Sequence, residues 1–176
     1  IQTGLARTGK MLACDHEDVR PDILILGKAL SGGTMPISAV LADDEIMLTI
    51  QPGEHGSTFG GSPLAAATAM AALQVLQYEK LSQNAHRLGE VFRNTIRSWK
   101  NPHIAEVRGK GLLNAIVIKH AEEHAAESLC YALLENGLLA KHTHGDKIRF
   151  APPLVITEEE LHTALGIIKQ SLSVLD

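Results

Sequence analysis

A run of four aliphatic residues, Ile23 to Leu26, constrains the fold of this chain more than any other feature. The run follows Pro21-Asp22 and ends at Gly27-Lys28. A short, continuous apolar run between turn residues is typical of a strand that is buried on both faces, as strands of parallel sheets are. Open α/β sheets bind their ligands at the carboxyl ends of the strands, so this run predicts a ligand site close to Lys28.

Lys28 is the residue at this strand end whose side chain can react. Burial disfavours an ammonium group, so the pKa of such a lysine falls and its amine becomes nucleophilic. We therefore predict that Lys28 forms a Schiff base with a carbonyl cofactor. The alternative is a solvent-facing lysine in a glycine-rich turn, which is the commoner role of a Gly-Lys pair. A phosphate-binding P-loop is excluded, because it needs Gly where Asp22 stands and Ser or Thr where Ala29 stands.

Composition narrows the class of protein further. The 176 residues are 45% hydrophobic and carry a formal net charge of -4, which is typical of a globular chain and gives no basic surface for nucleic acid or anionic membranes. No apolar stretch approaches the roughly 20 residues that cross a bilayer. The two cysteines, Cys14 and Cys130, stand far apart and predict reduced thiols in an intracellular protein, either cytoplasmic or in the mitochondrial matrix.

The first part of the chain alternates strands, a glycine-rich loop and helix. Ile37 to Leu41 predicts a second strand beside the first, and residues 51–62 form a loop with four glycines. Ser62 and Pro63 then supply the N-cap and first position of a helix. Its residues from Leu64 to Leu76 are almost all apolar, which predicts a helix buried all round. A further amphipathic pattern from Leu81 to Trp99 either extends this helix or forms a second one after a kink near Glu79.

The second part has the pattern of a smaller α+β unit. We expect strands at 104–107, 112–118, 138–141 and 147–150, a helix over 121–135 that ends at Asn136-Gly137, and a last helix opened by a Thr157/Glu160 capping box. We therefore predict two units: residues 1–78, the end of a larger α/β domain, and residues 79–176, a small α+β domain.

Five strings in this order resemble the class-III aminotransferases: IQTGLARTG, PDILILGKALSGG, GEHGSTFGGSPLAAA, VRGKGLLNAI and KIRFAPPLVIT. The resemblance covers essentially the whole chain. It implies the fold-type I scaffold of pyridoxal-phosphate enzymes, in which the end of a three-layer α/β/α large domain is followed by the small α+β domain. Within the family, GLLAKHTHGDKIRFAPPLVI and DDEIMLTIQPGEHGSTFGG resemble the branch that moves the δ-amino group of ornithine onto 2-oxoglutarate.

The resemblance assigns roles to four residues. Lys28 matches the lysine that binds the aldehyde of pyridoxal 5'-phosphate and later shuttles a proton, and Gln2 matches the glutamine that hydrogen-bonds the phenolic oxygen of the cofactor. Thr58 matches the threonine that binds the cofactor phosphate of the neighbouring subunit, which implies a homodimer with a shared active site. Arg149 matches the arginine that holds the α-carboxylate of the amino-acid or 2-oxo-acid substrate.

Alternatives remain open at this point. His142 and His144 stand two residues apart on a turn without a further ligand at suitable spacing, so we predict no metal site. Related activities on N-acetylornithine or 4-aminobutyrate need the same lysine and threonine, and a non-catalytic homologue could retain the scaffold. The chain begins at Ile1-Gln2, just after the position where the family has an aspartate for the pyridine nitrogen. We therefore expect a fragment of a longer polypeptide that does not transaminate alone.

Overall fold

The computed structural model describes all 176 residues and begins with a two-stranded sheet. Strands β1 (Ile23–Leu26) and β2 (Ala39–Ala42) pair antiparallel, with Ile23 opposite Ala42 and Leu26 opposite Ala39. The prediction that these two runs are neighbouring strands is confirmed. The parallel pattern that we expected from the apolar run is wrong for this pair, because the chain reverses through residues 27–38, which contain a short 3-10 helix and no α-helical crossover.

The expectation that β1 is buried on both faces is also wrong. Alternate residues of the strand are half-buried and exposed, and Ile25 is 58% exposed. An uninterrupted apolar run shows only that both faces can be buried, whereas burial needs a second layer on each face. In this chain one face of β1 has no such layer.

The helix that follows the glycine-rich loop begins where the sequence predicts. After a short helix α1 (Asp44–Met47), helix α2 runs from Pro63 to Tyr78, and the N-cap oxygen of Ser62 accepts a hydrogen bond from the Ala65 amide at 3.5 Å. The prediction that α2 is buried all round is wrong, since only Ala65 and Ala69 are buried and Leu64 is 66% exposed. The reason is the same as for β1: nothing in this chain covers the outer face of the helix.

The second amphipathic pattern forms a separate helix, α3 (Leu81–Ser98). The helical conformation is interrupted at Glu79 and Lys80, and Lys80 adopts a left-handed conformation with φ of +52°. This is the two-helix alternative. The expected apolar face is buried, comprising Leu81, Ala85, Leu88, Phe92 and Ile96.

A four-stranded antiparallel sheet forms the centre of the second part. Its strands are β3 (Ile104–Lys110), β4 (Leu113–Ile118), β5 (Lys141–Thr143) and β6 (Lys147–Phe150), arranged in the order β3-β4-β6-β5. The sequence predicted all four strands but placed β5 three residues too early. The strand pattern of β6 alternates, so Ile148 and Phe150 are buried and Arg149 is exposed on the other face.

Two helices complete the second part. Helix α4 (Ala125–Glu135) ends before Gly137, whose φ of +90° is the left-handed geometry that the sequence predicts. Helix α5 (Glu158–Ser171) opens with the predicted capping box: the Thr157 hydroxyl accepts from the Glu160 amide, and the Glu160 carboxylate accepts from the Thr157 amide. No helix here combines the length and apolar character that a bilayer crossing needs.

Buried apolar side chains form two clusters. A cluster of 19 residues lies between α3, the four-stranded sheet, α4 and α5, and all its members fall between Ala85 and Leu175. A small cluster of Leu5, Leu30 and Ala69 lies in the first part. The division of the chain at residue 78 stays a prediction, and this separation of the clusters supports it.

Candidate active site

Lys28 lies directly after β1, in a short 3-10 helix from Lys28 to Ser31. Its φ of +53° places a non-glycine residue in the left-handed region. That conformation costs on the order of 1–3 kcal/mol and is common where function fixes the backbone. Hydrogen bonds of the buried Ser31 side chain stabilise this turn. Its hydroxyl donates to the Met35 carbonyl and accepts from the Met35 amide at 3.1 Å. The Lys28 side chain is exposed in this chain, so the buried environment that we expected is absent here.

A cavity of about 690 Å³ opens beside Lys28. The lining of the cavity includes three hydroxyl residues, Ser38, Ser57 and Ser62, and two glycines, Gly60 and Gly61. The turn from Ser57 to Gly60 is ordered, because the Gly60 amide donates to the Ser57 hydroxyl at 3.0 Å. The cavity therefore combines one amine, several hydroxyl groups and glycine-flanked backbone, close to the amino end of α2.

Thr58 is exposed and does not line this cavity, although both of its sequence neighbours do. The structure therefore brings Ser57, and not Thr58, to Lys28 within one chain. Thr58 remains free to reach a site on another molecule.

The amino-terminal segment lies against the strand end that carries Lys28. A β-carbon added to Gly27 would lie 3.7 Å from the Ile1 side chain and 3.5 Å from the Ser38 side chain. Gln2 and Lys28 are thus the sequence neighbours of two residues, Ile1 and Gly27, that line the same small cavity. Gln2 is exposed and lines a second cavity of about 430 Å³.

Arg149 lines the same cavity as Gln2. Its strand is central in the sheet, and Arg149 pairs with Ala115 on one side and Lys141 on the other. Arg108, His144 and Lys147 add positive or titratable nitrogen to the lining. Lys147 contacts the Asp146 carboxylate, whose pKa is lowered chiefly by that hydrogen bond, and Arg108 lies 3.5 Å from Glu106. Among the three Arg and Lys side chains of the lining, Arg149 is the one for which no acidic partner lies within 4 Å.

Three of the four predicted site residues line two cavities. Lys28 lines one cavity, and Gln2 and Arg149 share the other. Ile1 and Gly27, the sequence neighbours of Gln2 and Lys28, both line a further cavity. Thr58 lies apart. No group of three or more His, Cys, Asp or Glu side chains is placed to hold a metal ion, and His144 faces the cavity without His142.

One residue that the sequence analysis missed lies beside this site. The guanidinium of Arg7 donates to the carbonyl oxygens of Leu112, at 3.0 Å, and Pro152, at 2.6 Å. Burial lowers the pKa of Arg7. The string in which Arg7 stands contributed to the resemblance, but these contacts span more than 100 residues and no local pattern reveals them.

Lys28 stands at a strand end beside a hydroxyl- and glycine-lined cavity, and Arg149 lines a second cavity without an acidic partner. An amine and a guanidinium placed in this way are chemically suited to an aldehyde and a carboxylate. Comparison with known proteins gives the family. The family model for class-III aminotransferases matches residues 1–172, and the chain belongs to this family.

Individual relatives are similar along nearly the whole chain. The mitochondrial ornithine aminotransferases of Drosophila melanogaster and Rattus norvegicus are 59% and 58% identical over 172 residues, which are 98% of this chain. The chain spans only 39% of the length of either relative.

Solved structures agree with this fold. An acetylornithine aminotransferase from Elizabethkingia anophelis superposes with a TM-score of 0.94 at 61% identity, covering 99% of this chain and 46% of that one. The ornithine aminotransferase of Toxoplasma gondii, whose structure describes pyridoxal phosphate at partial occupancy in its active site, gives 0.94 at 50% identity, covering 99% and 42%.

Proposed function

We propose that the protein to which this chain belongs transfers the δ-amino group of ornithine to 2-oxoglutarate, giving glutamate 5-semialdehyde and glutamate, with pyridoxal 5'-phosphate as cofactor. The observation that carries this proposal is the left-handed Lys28 at the end of β1, with its side chain beside the cavity of Ser57 and Gly60. The relatives named ornithine aminotransferase, at 52–60% identity, support the choice of substrate.

The donor set of the Lys28 cavity fits this cofactor. A primary amine suits its aldehyde, and hydroxyl groups and glycine amides suit its phosphate. Bound there, pyridoxal phosphate supplies an electron sink for the charge that develops on the substrate carbon. We assign Lys28 to hold the cofactor covalently through Nζ and, when that amine is released, to move the proton at the substrate carbon.

Gln2 and Arg149 have binding roles in this proposal. The side-chain amide of Gln2 donates a hydrogen bond to the phenolic oxygen of the cofactor and favours its ionised form. The guanidinium of Arg149 pairs with a substrate carboxylate through two parallel hydrogen bonds, which fixes the orientation of the substrate as well as its affinity. The absence of a competing acidic partner leaves this guanidinium available.

We assign Thr58 to the active site of a second subunit. We propose that its hydroxyl binds the cofactor phosphate held by the neighbouring molecule, which requires a homodimer with a shared active site. The exposure of Thr58, outside the cavity of its own Lys28, supports this assignment. We also propose that residues 1–78 complete the cofactor-binding domain and residues 79–176 form the small domain, with no role for nucleic acid or membrane. The relatives with mitochondrial names support a matrix location, with the cytoplasm as the other compartment.

A labelling experiment tests the central assignment. The intact protein is loaded with pyridoxal phosphate, reduced with borohydride, digested and sequenced by mass spectrometry. The cofactor mass should be found on Lys28, and Lys28→Ala should carry none at that position. A label on a different lysine would reject the assignment, and Lys10 and Lys110 serve as internal controls.

A second candidate function is the transamination of N-acetylornithine. The observation in its favour is the acetylornithine aminotransferase from Elizabethkingia anophelis, which is 61% identical. Initial rates with ornithine, N-acetylornithine and 4-aminobutyrate, each with 2-oxoglutarate, distinguish these activities. The highest kcat/KM identifies the substrate, and a protein that retains Lys28 yet turns over none of the three would support a non-catalytic homologue.

A further inference from the structure

We propose that Arg7 is a positioning residue for the substrate-carboxylate site, and this inference rests on the role assigned to Arg149 above. Its guanidinium Nη1 donates to Leu112 O at 3.0 Å and to Pro152 O at 2.6 Å. The backbone carbonyl of Arg7 in turn accepts from the Leu112 amide at 3.0 Å. Three hydrogen bonds thus tie one residue of the amino-terminal segment to two loops of the second part.

The contacts of Arg7 connect the two chain segments that carry Gln2 and Arg149. Gln2 precedes Arg7 by five residues on one side, and Pro152 follows Arg149 by three residues on the other. Hydrogen bonds to β4 and β5 fix Arg149 within its sheet. They do not fix the sheet relative to Gln2. The hydrogen bonds of Arg7 supply that second constraint.

Close backbone packing at Gly111 makes the same junction rigid. Gly111 has a φ of +52°, and a β-carbon there would lie 2.4 Å from the carbonyl carbon of Thr8 and 2.6 Å from the carbonyl oxygen of Arg7. On the opposite side, a β-carbon on Gly89 of α3 would lie 1.9 Å from the Gly111 oxygen. Three backbone segments therefore meet without side chains between them. Because no side chain lies between these segments to adjust, small shifts at Arg7 are transmitted to the turn between β3 and β4.

Arg149 benefits from this rigidity because bidentate pairing depends on orientation. A carboxylate site that is misplaced by a fraction of an ångström loses one of its two parallel hydrogen bonds. We therefore assign Arg7 to hold Arg149 at the correct distance from Gln2, so that a substrate bound by its carboxylate reaches the cofactor side of the site.

The test uses glutarate, a dicarboxylate without an amino or oxo group, as a probe of the carboxylate site. Its affinity for the intact, cofactor-loaded protein is measured by calorimetry for wild type, Arg7→Met and Arg7→Lys. Arg7→Met keeps an unbranched apolar stem and removes the donors, so we expect glutarate to bind about tenfold more weakly. Arg7→Lys keeps the charge with a single donor group and should give an intermediate loss. The KM for 2-oxoglutarate should rise more than kcat falls.

Arg97→Met is the matched control. Arg97 also donates to a backbone carbonyl, Val107 O, at 2.8 Å, and it does not line the cavity of Arg149. We expect the control to leave glutarate affinity unchanged. Hydrogen exchange in the peptide 147–156 gives a readout that is independent of activity, and it should accelerate in Arg7→Met alone.

Two results would overturn the inference. Wild-type glutarate affinity in both Arg7 variants would remove the positioning role, and an equal loss in Arg97→Met would assign the effect to general stability. If Arg7→Met does not fold, Arg7→Lys decides between the same outcomes. Failure of the proposed function can be told apart from failure of this inference. In that case the wild-type protein would transaminate no substrate, although the Arg7 substitutions would still weaken glutarate binding.

Discussion

Arg93 donates a hydrogen bond of 2.6 Å to the side-chain oxygen of Asn114, and the two side chains are only 3% and 2% exposed. Arg93 also donates to Gly111 O at 3.0 Å and reaches Glu90 at 2.5 Å on the same helix. A buried guanidinium is stable only when its donors are occupied, and here one arginine occupies the polar groups of the turn between β3 and β4. The turn that contacts Arg7 is therefore held from the α3 side as well.

Replacing Arg93 should destabilise the protein substantially. Arg93→Met leaves the buried Oδ1 of Asn114 without its donor, and an unsatisfied buried group costs about 1–3 kcal/mol. Gly111 O keeps the hydrogen bond from Asn114 Nδ2 at 3.1 Å. We expect urea unfolding of the intact protein to show a loss of at least about 2 kcal/mol. The control is Arg87→Met, which removes a half-exposed ion pair with Glu158 and should cost less than about 1 kcal/mol. Equal losses in the two variants would contradict the importance of burial at Arg93.

Gly111 should tolerate no side chain. In Gly111→Ala the new β-carbon would overlap the backbone of Thr8 and Arg7, so the junction between the two parts must open. We expect a loss of more than about 4 kcal/mol or failure of the protein to accumulate.

Gly137→Ala is the matched control for this substitution. Gly137 also has a positive φ, +90°, but no atom lies within 4 Å of its added β-carbon. Only the conformational cost of about 1–2 kcal/mol then remains. A midpoint of thermal unfolding that falls equally in both variants would show that strain, and not close contact, dominates at Gly111.

Local signals in the sequence predicted most elements of the second part. The Thr157/Glu160 capping box, the left-handed Gly137 and the apolar face of α5 each depend on residues within one or two turns of one another. The strand β1 and helix α2 were predicted at the right places, but their burial was wrong, because burial depends on layers that this chain does not supply.

The sequence was sufficient to predict the residues of the candidate site, but not the hydrogen bonds that hold the surrounding segments in place. Lys28 follows from a strand end, and the motifs around Gln2, Thr58 and Arg149 follow from the family resemblance, although their roles stay predictions. The contacts of Arg7 and Arg93 join residues 18 to 145 positions apart. An arginine within an amphipathic helix or a glycine-rich turn gives no indication of such partners, so only the folded chain reveals them.

The capping box should make the stability of the protein depend on pH in the acidic range. The pKa of Glu160 is lowered, first by the hydrogen bond from the Thr157 amide and then by the Thr157 hydroxyl. A lowered pKa in the folded state means that the ionised carboxylate favours folding above its ordinary pKa of 4.5, and that this contribution is lost as pH falls through the lowered value. Glu160→Gln should therefore flatten the decline of stability between about pH 5 and pH 3.

Urea midpoints across this pH range, measured for wild type and Glu160→Gln, check the expectation. Glu159→Gln is the control, since its carboxylate takes no part in the cap although it neighbours Glu160 in the same helical turn. A wild-type slope in Glu160→Gln would show that the cap does not contribute to the acid sensitivity.

Complementation between two inactive variants should locate Thr58 in the neighbouring site. Lys28→Ala lacks the amine, and Thr58→Glu places a negative charge where the cofactor phosphate would bind, so each variant alone should be inactive. When both are expressed together, half of randomly assembled dimers are hybrids. In each hybrid one site combines the intact Lys28 of one subunit with the intact Thr58 of the other. The mixture should therefore recover about a quarter of wild-type activity.

If Thr58 served its own subunit, no site in the hybrid would be intact and the mixture would stay inactive. Lys28→Ala co-expressed with Lys28→Ala/Thr58→Glu is the control and should show no activity in either case.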